Sequence, residues 1–205
     1  MTTGIGSNRP LPVLPKARNA KVSVETLAPW IQKFAGQHRV NPQIVAAVVA
    51  QESSFINHGV HRDGTGHGLI GLDDNGLLPE FEKWSGLHVG RGKSAATIAP
   101  AKQIEFLAKK LGDLTKKFHG KEWEAVRAWH GGVKGRNRPH AKEYESIIRG
   151  RISEIAHAVK PATAGAAAPE TMLASNFERP ARARVTLAPT ERLDHPRGSV
   201  DFENA

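Results

Sequence analysis

No cysteine occurs among the 205 residues, which excludes a disulfide framework and thiolate zinc sites and leaves the redox compartment undetermined. No apolar run is long enough to span a bilayer as a helix. The longest, around Val45 to Ala50, has the size of a core segment. Residues 1–20 contain Arg9, Lys16 and Arg18 but no continuous apolar stretch, so no secretory signal is expected there. No internal repeat is visible. Negative charge is the scarcer sign: 20 Asp and Glu against 29 Lys and Arg give a net charge of +9. That balance suits a polyanionic partner, whether nucleic acid, an anionic membrane or a negatively charged wall polymer, and does not choose among them. What remains, 39% hydrophobic and 24% charged residues, is the composition of a globular protein. The length holds one ordinary domain with appendages, or two very small ones.

The chain divides into three stretches. Residues 1–21, with three prolines between Pro10 and Pro15, read as an extended arm. Residues 161–205 are rich in Ala, Pro, Thr and Arg, have few large hydrophobes and no usable period, and read as an extended or disordered tail. Between them, residues 22–160 carry helical periodicity. Leu27, Trp30, Ile31 and Phe34 predict a first helix over about 24–38. A second starts at Pro42, and turns are expected over 77–84. Ile104, Leu107, Leu111 and Leu114 predict a helix over about 100–118. Trp123, Val126 and Trp129 lie on a short one ended by Gly131-Gly132. A basic loop follows over 133–140, then a last helix over about 141–159, stopped by Pro161. The fold class is all-α, or α with a minor β-hairpin.

The second helix organises the rest. Asn41 suits its N-cap and Pro42 its first position. Ile44, Val45, Val48, Val49 and the intervening alanines leave it no polar face, as in a helix enclosed by its domain. Glu52 falls on its last turn, in line with Val45, Val48 and Phe55. Burial and the negative end of the helix dipole would both favour its protonated form. A carboxylic acid that keeps its proton near neutral pH is the proton donor a glycosidase requires. The plain alternative is a glutamate that points into water.

Three segments join this glutamate. Gln51-Glu52-Ser53-Ser54-Phe55 closes the apolar helix. Arg62-Asp63-Gly64-Thr65-Gly66-His67-Gly68-Leu69-Ile70-Gly71-Leu72-Asp73 is a glycine-rich loop running into a short apolar piece. Arg127-Ala128-Trp129-His130-Gly131-Gly132 precedes Tyr144 in the last helix. In order and spacing they resemble the lysozyme-like superfamily, specifically goose-type lysozymes and soluble lytic transglycosylases, over about residues 22–158. Gly71 stands where that family usually has glutamine, and Trp129-His130 where it has Tyr-Asn.

The resemblance implies a lysozyme-like single domain that cuts the β-1,4 bond between N-acetylmuramic acid and N-acetylglucosamine in peptidoglycan, with Glu52 as general acid. It implies Asp73 as first choice and Asp63 as second for a residue that positions or activates a water. Asp74 is a neighbour that could serve in place of Asp73. The alternative is that Asp73 and Asp74 form an Asx turn with Asn75-Gly76. If neither aspartate serves, transglycosylation follows, in which one acid works alone and the sugar's own hydroxyl attacks. Ser53, His67, Gly68, Leu69, Trp129, His130 and Tyr144 are the expected substrate contacts. Trp129 and Tyr144 are either core aromatics or hydrogen-bond donors near the acid; His130 either contacts substrate or caps its helix. His58, His61 and His67 beside Asp63 raise a rival zinc amidase reading, but their spacing fits no zinc pattern such as H-E-x-x-H, and no metal or cofactor is expected. The expected partners are peptidoglycan strands and, through the arms, virion or tail proteins, with no requirement for nucleic acid. The expected setting is a bacteriophage virion, or the host cytoplasm before release, with action on the bacterial wall. A non-enzymatic virion protein with a degenerate lysozyme fold is the rival outside catalysis.

Overall fold

The computed structural model of the chain describes residues 10–14, 19–59, 66–89 and 98–159. Among them, six helices surround a shared apolar core, with four two-residue strands at one side. None of these helices is long and apolar enough to cross a membrane.

Helix α1 (Val24–His38) starts where Ser23 Oγ accepts the N–H of Thr26 and ends at Arg39 in the left-handed conformation. Pro29 is tolerated early in the helix. Helix α2 (Pro42–Ser53) begins as its sequence dictates, with the Asn41 side chain accepting the Gln43 N–H at 2.9 Å and Pro42 supplying a first position that needs no donor. Every residue from Ile44 to Ala50 is buried. Each of the larger side chains there contributes roughly 1.5–3 kcal/mol by leaving water. This burial is possible because α2 packs against α1, α4 (Pro100–Lys117) and α6 (Pro139–Ile155). Helix α4 also packs on α1 and on α5 (Glu122–Gly135), and α5 on α6. Leu114, Phe118, Ala125 and Ala128 form a satellite cluster where α4 meets α5.

The strands frame the loop after α2. Strand β1 (Ala20–Lys21) pairs antiparallel with β2 (Ile56–Asn57). Strand β3 (Gly66–His67) pairs antiparallel with β4 (Leu72–Asp73), and a bridge from His58 to Gly68 joins the two pairs. Helix α3 (Leu77–Ser85) follows β4 directly.

Expected and observed elements agree closely; the last helix ends at Ile155, short of the 159 expected, and two larger differences stand out. First, part of the extended arm is docked: Trp30 Nε1 donates to the Pro12 carbonyl at 2.8 Å, Leu14 joins the core, and residues 20–21 form β1. The remainder of the arm and the tail over 161–205 lie outside the described residues. Second, the basic loop expected over 133–140 is shorter. Helix α5 breaks at Gly132 (φ 71, ψ 165), then makes a further turn to Gly135 before α6 opens at Pro139. Gly132 takes that conformation without the Cβ penalty other residues meet.

Glu122, at the start of α5, accepts the backbone N–H of Asn41 at 3.1 Å and so holds the N-terminus of α2. Burial pushes the Glu122 carboxyl above the ordinary value of 4.5, and the Asn41 N–H draws it partway back. An acid whose folded value is raised favours folding most below its unfolded value, and that contribution is lost as pH rises through the folded value. Glu122→Gln keeps an acceptor for Asn41 and cannot ionise. It is expected to melt at an equal or higher temperature than the parent at pH 7, with the difference shrinking toward pH 4, as measured by thermal melts across that range.

Candidate active site

The turn that ends α2 sets the direction of Glu52. Ser54 and Phe55 both take positive φ values, 52° and 62°, an uncommon conformation for residues with a Cβ and rarer still for a bulky one. Ser54 N–H returns to the Ala50 carbonyl at 2.9 Å. The Val22 N–H donates to the Phe55 carbonyl at 2.9 Å, so pairing with β1 fixes the turn from outside. Glu52 is thereby left 8% exposed at the end of a buried helix.

Two other helices supply donors to it. Tyr144 on α6 donates its hydroxyl to Glu52 Oε1 at 2.6 Å, and Trp129 on α5 donates its indole N–H to the same oxygen at a longer 3.4 Å. Both aromatics are nearly buried. Both readings hold at once: Trp129 and Tyr144 lie in the core, and their polar tips meet Glu52. His130 lies flat on Tyr144, ring centroids 4.3 Å apart and planes within 2°, and His140 meets His130 edge-on at 5.7 Å. Arg127 Nη1 and Glu145 Oε2 pair at 3.3 Å. Arg149 spreads over the Trp123 ring at 3.6 Å. These contacts hold α5 and α6 together where they present Trp129 and Tyr144.

The glycine-rich segment is a support beneath the site. His67 has no exposed surface. Its Nε2 lies 2.7 Å from Asp74 Oδ1 and its Nδ1 3.2 Å from the Gly59 carbonyl oxygen, which staples β3 to the turn after β4. Leu69 and Ile70 are wholly buried. Ser53 Oγ donates back to the Val49 carbonyl at 3.0 Å inside α2. The side chains of Ser53, His67 and Leu69, expected at the substrate, therefore face inward, because each is absorbed by packing or by an internal hydrogen bond.

Sequence reasoning passed over the residue that anchors this segment. Gln103 is fully buried on α4. Its Oε1 accepts the Leu69 N–H at 2.7 Å, and its Nε2 donates to Asn57 Oδ1 at 3.1 Å and to the Ile98 carbonyl at 3.3 Å. Gly68 (φ 71) lies so close that a Cβ there would stand 2.1 Å from Gln103 Oε1. The available signal was a glutamine four residues before Leu107 and eight before Leu111, on a stripe that is otherwise apolar.

The aspartates divide. Asp73 accepts the Asn75 N–H at 3.1 Å through Oδ1 and the Leu77 N–H at 3.2 Å through Oδ2. It forms the Asx turn and caps the first turn of α3. Asp74 is held by His67. Asp63 and His61 lie outside the described residues. Within the described residues, no three metal-ligating side chains stand together.

A buried carboxyl at a helix end, gripped by an indole and a phenol from two further helices, agrees with the comparison of the sequence with known families. The family model described as the transglycosylase SLT domain matches residues 29–152. The chain belongs to the transglycosylase SLT family. The matched span contains Glu52, the glycine-rich segment, Trp129 and Tyr144 together. Membership makes the chain a peptidoglycan-cleaving enzyme of mostly helical, lysozyme-like fold. No curated protein and no solved structure matches the chain significantly.

Two variants test the supports of this SLT domain. Tyr144→Phe removes the hydroxyl that reaches Glu52. A hydrogen bond to the carboxylate left when Glu52 gives up its proton is worth about 1.5–3 kcal/mol, so peptidoglycan clearance is expected to fall by up to roughly 100-fold while the melting temperature, read with the Trp129 donor still in place, moves little. Gln103→Leu leaves the Leu69 N–H and the Asn57 side chain without this buried partner, at a cost of about 1–3 kcal/mol for each group. Thermal melts should show a loss in that range, with activity falling alongside.

Proposed function

We propose that this SLT domain is a lytic transglycosylase in which Glu52 alone transfers the proton, and that it cuts the β-1,4 bond between N-acetylmuramic acid and N-acetylglucosamine. The observation that carries this reading is the contrast between the carboxylates. Glu52 is nearly buried with two donors on one oxygen, whereas Asp73 is spent on backbone N–H groups and Asp74 on His67. Neither Asp73 nor Asp74 is arranged as a base for water. The muramidase reading, preferred on sequence, needs such a base.

The chemistry follows from the hydrogen bonds. The indole N–H can only donate, so Oε1 is held as an acceptor and the acid's proton sits on Oε2. That proton passes to the leaving N-acetylglucosamine oxygen as the glycosidic bond breaks. The resulting carboxylate keeps its two donors and so is stabilised as charge develops. It then takes the proton of the muramic acid's own primary hydroxyl as that oxygen bonds to the anomeric carbon. The 1,6-anhydro ring closes, Glu52 is reprotonated, and no water is consumed.

The basic composition suits a wall bearing carboxylates and phosphates. We also propose delivery by a bacteriophage, either within the virion or from the host cytoplasm, with the terminal segments engaging other virion proteins. Their Pro- and Ala-rich composition is what supports this.

Glu52→Gln preserves size and an acceptor but has no carboxyl proton, and is expected to lose ~10²–10⁴-fold in cleavage rate with folding preserved. Mass spectrometry of the released muropeptides is the second measurement. Anhydro products, lighter by one water than reducing ends, are expected. Reducing ends throughout would overturn the transglycosylase assignment and direct attention to Asp63.

A further inference from the structure

His130 stands where the SLT family usually has asparagine, so an aromatic ring replaces an amide beside Trp129. The residue is only half-buried, yet α6 sets its ring on two sides. The imidazole lies parallel to the Tyr144 ring, with centroids 4.3 Å apart and planes within 2°. The His140 ring meets it edge-on, at 5.7 Å and 68°.

The two helices are shaped for this contact. His140 and Tyr144 are four residues apart and so share one face of α6. Gly131 lets α5 come up to that face: a Cβ there would stand 2.9 Å from the Ala141 Cβ and 3.5 Å from His140 Nε2. Consecutive residues of α5 then meet the acid by different routes. Trp129 reaches Glu52 directly, whereas His130 reaches the tyrosine that donates to it. That tyrosine holds its hydroxyl 2.6 Å from Glu52 Oε1, and a hydrogen bond weakens steeply as its geometry opens. A flat ring against the phenol limits the tilt that would open it.

Resting on the reading of Glu52 as the acid, we propose that His130 is a positioning residue for the cleavage reaction. Its imidazole, braced by His140, holds the Tyr144 ring so that the phenol stays on Glu52 Oε1 through proton transfer. It acts on the rate of bond breaking through Tyr144, and sugar binding does not depend on it.

The chain has a single tyrosine, so protein labelled at tyrosine gives one set of NMR ring signals, that of Tyr144. In the full-length protein, His130→Ala and His130→Gln remove the ring on its face, and His130→Phe keeps one. The first two should move the Tyr144 ring protons downfield, because the ring current of the imidazole is lost. His130→Phe should leave them upfield. On soluble peptidoglycan strands, removing the ring should lower kcat by roughly 2- to 10-fold, the scale of one aromatic pair, with KM unchanged. His130→Phe should restore most of the rate. In a Tyr144→Phe background the same changes should lower kcat no further, since the effect passes through the hydroxyl. Tyrosine signals that ignore the loss of the ring would overturn the proposal. So would a change confined to KM, an equal loss of kcat in the Tyr144→Phe background, or no rescue by His130→Phe. Should Glu52→Gln cut as fast as the parent, the reading of the acid fails instead. The tyrosine signals of that variant, with and without the ring at position 130, then still decide whether His130 holds Tyr144.

Discussion

The architecture depends on keeping one carboxyl almost dry at the end of an apolar helix. Placing Glu52 there is unfavourable unless donors meet it, because a buried carboxyl without a hydrogen-bond partner costs about 1–3 kcal/mol and its ionised form far more. Within α2 the side chains one turn back, Val48 and Val49, offer no donor, and Ser53 spends its hydroxyl on the Val49 carbonyl. The donors come from Trp129 and Tyr144, on helices α5 and α6. That requirement explains why α6 packs along α2, why α5 packs along α6, and why Arg127, Glu145, Arg149 and Trp123 tie α5 to α6 so closely.

A second constraint is the return of the chain after Glu52. Two successive left-handed residues, Ser54 and Phe55, turn it out of α2. The backbone that follows has polar groups to satisfy inside the fold, and Gln103 satisfies several of them at once. Its amide joins Asn57 and the Leu69 N–H, and only a glycine at position 68 lets it approach. His67 with Asp74 closes the same region from the other side. The glycine-rich segment thus reads as ligand-approaching backbone when seen as sequence, yet its described part serves chiefly to hold the site in place. The same residue types serve both purposes, since small residues and short polar side chains suit close backbone approach whether the neighbour is a sugar or a glutamine.

Surface charge shows a comparable division. The sequence displays a basic run over 133–140, whereas the folded chain uses Arg136 as an internal strut and leaves Arg138 outward. Net charge predicts attraction to an anionic wall. Which cations are available to meet it depends on the carboxylates that folding brings near them.

Local chemistry was enough to read α1, α2 and α4, because apolar period, N-caps and proline positions act within a few residues. It also put Glu52 in line with Val45 and Val48 on a helix without a polar face, but that spacing left a solvent-pointing glutamate open until the glycine-rich segment, Trp129 and Tyr144 were set beside it. The partners of that acid were legible only as candidates. Trp129 and Tyr144 are 77 and 92 residues away along the chain, and the two roles open to each differ by where a side-chain tip points, which spacing does not encode. Likewise Asp73 in its sequence is open to a water-positioning role and to an Asx turn, and the N–H groups of Asn75 and Leu77 that complete the turn come into view only in the fold. Gln103 went unseen because a buried glutamine is defined by partners brought from distant segments. The sequence by itself determined which helices form, through contacts local to each element. Tertiary structure alone decided which polar groups meet, because hydrogen bonding is directional and short-ranged and depends on the packing of the whole domain.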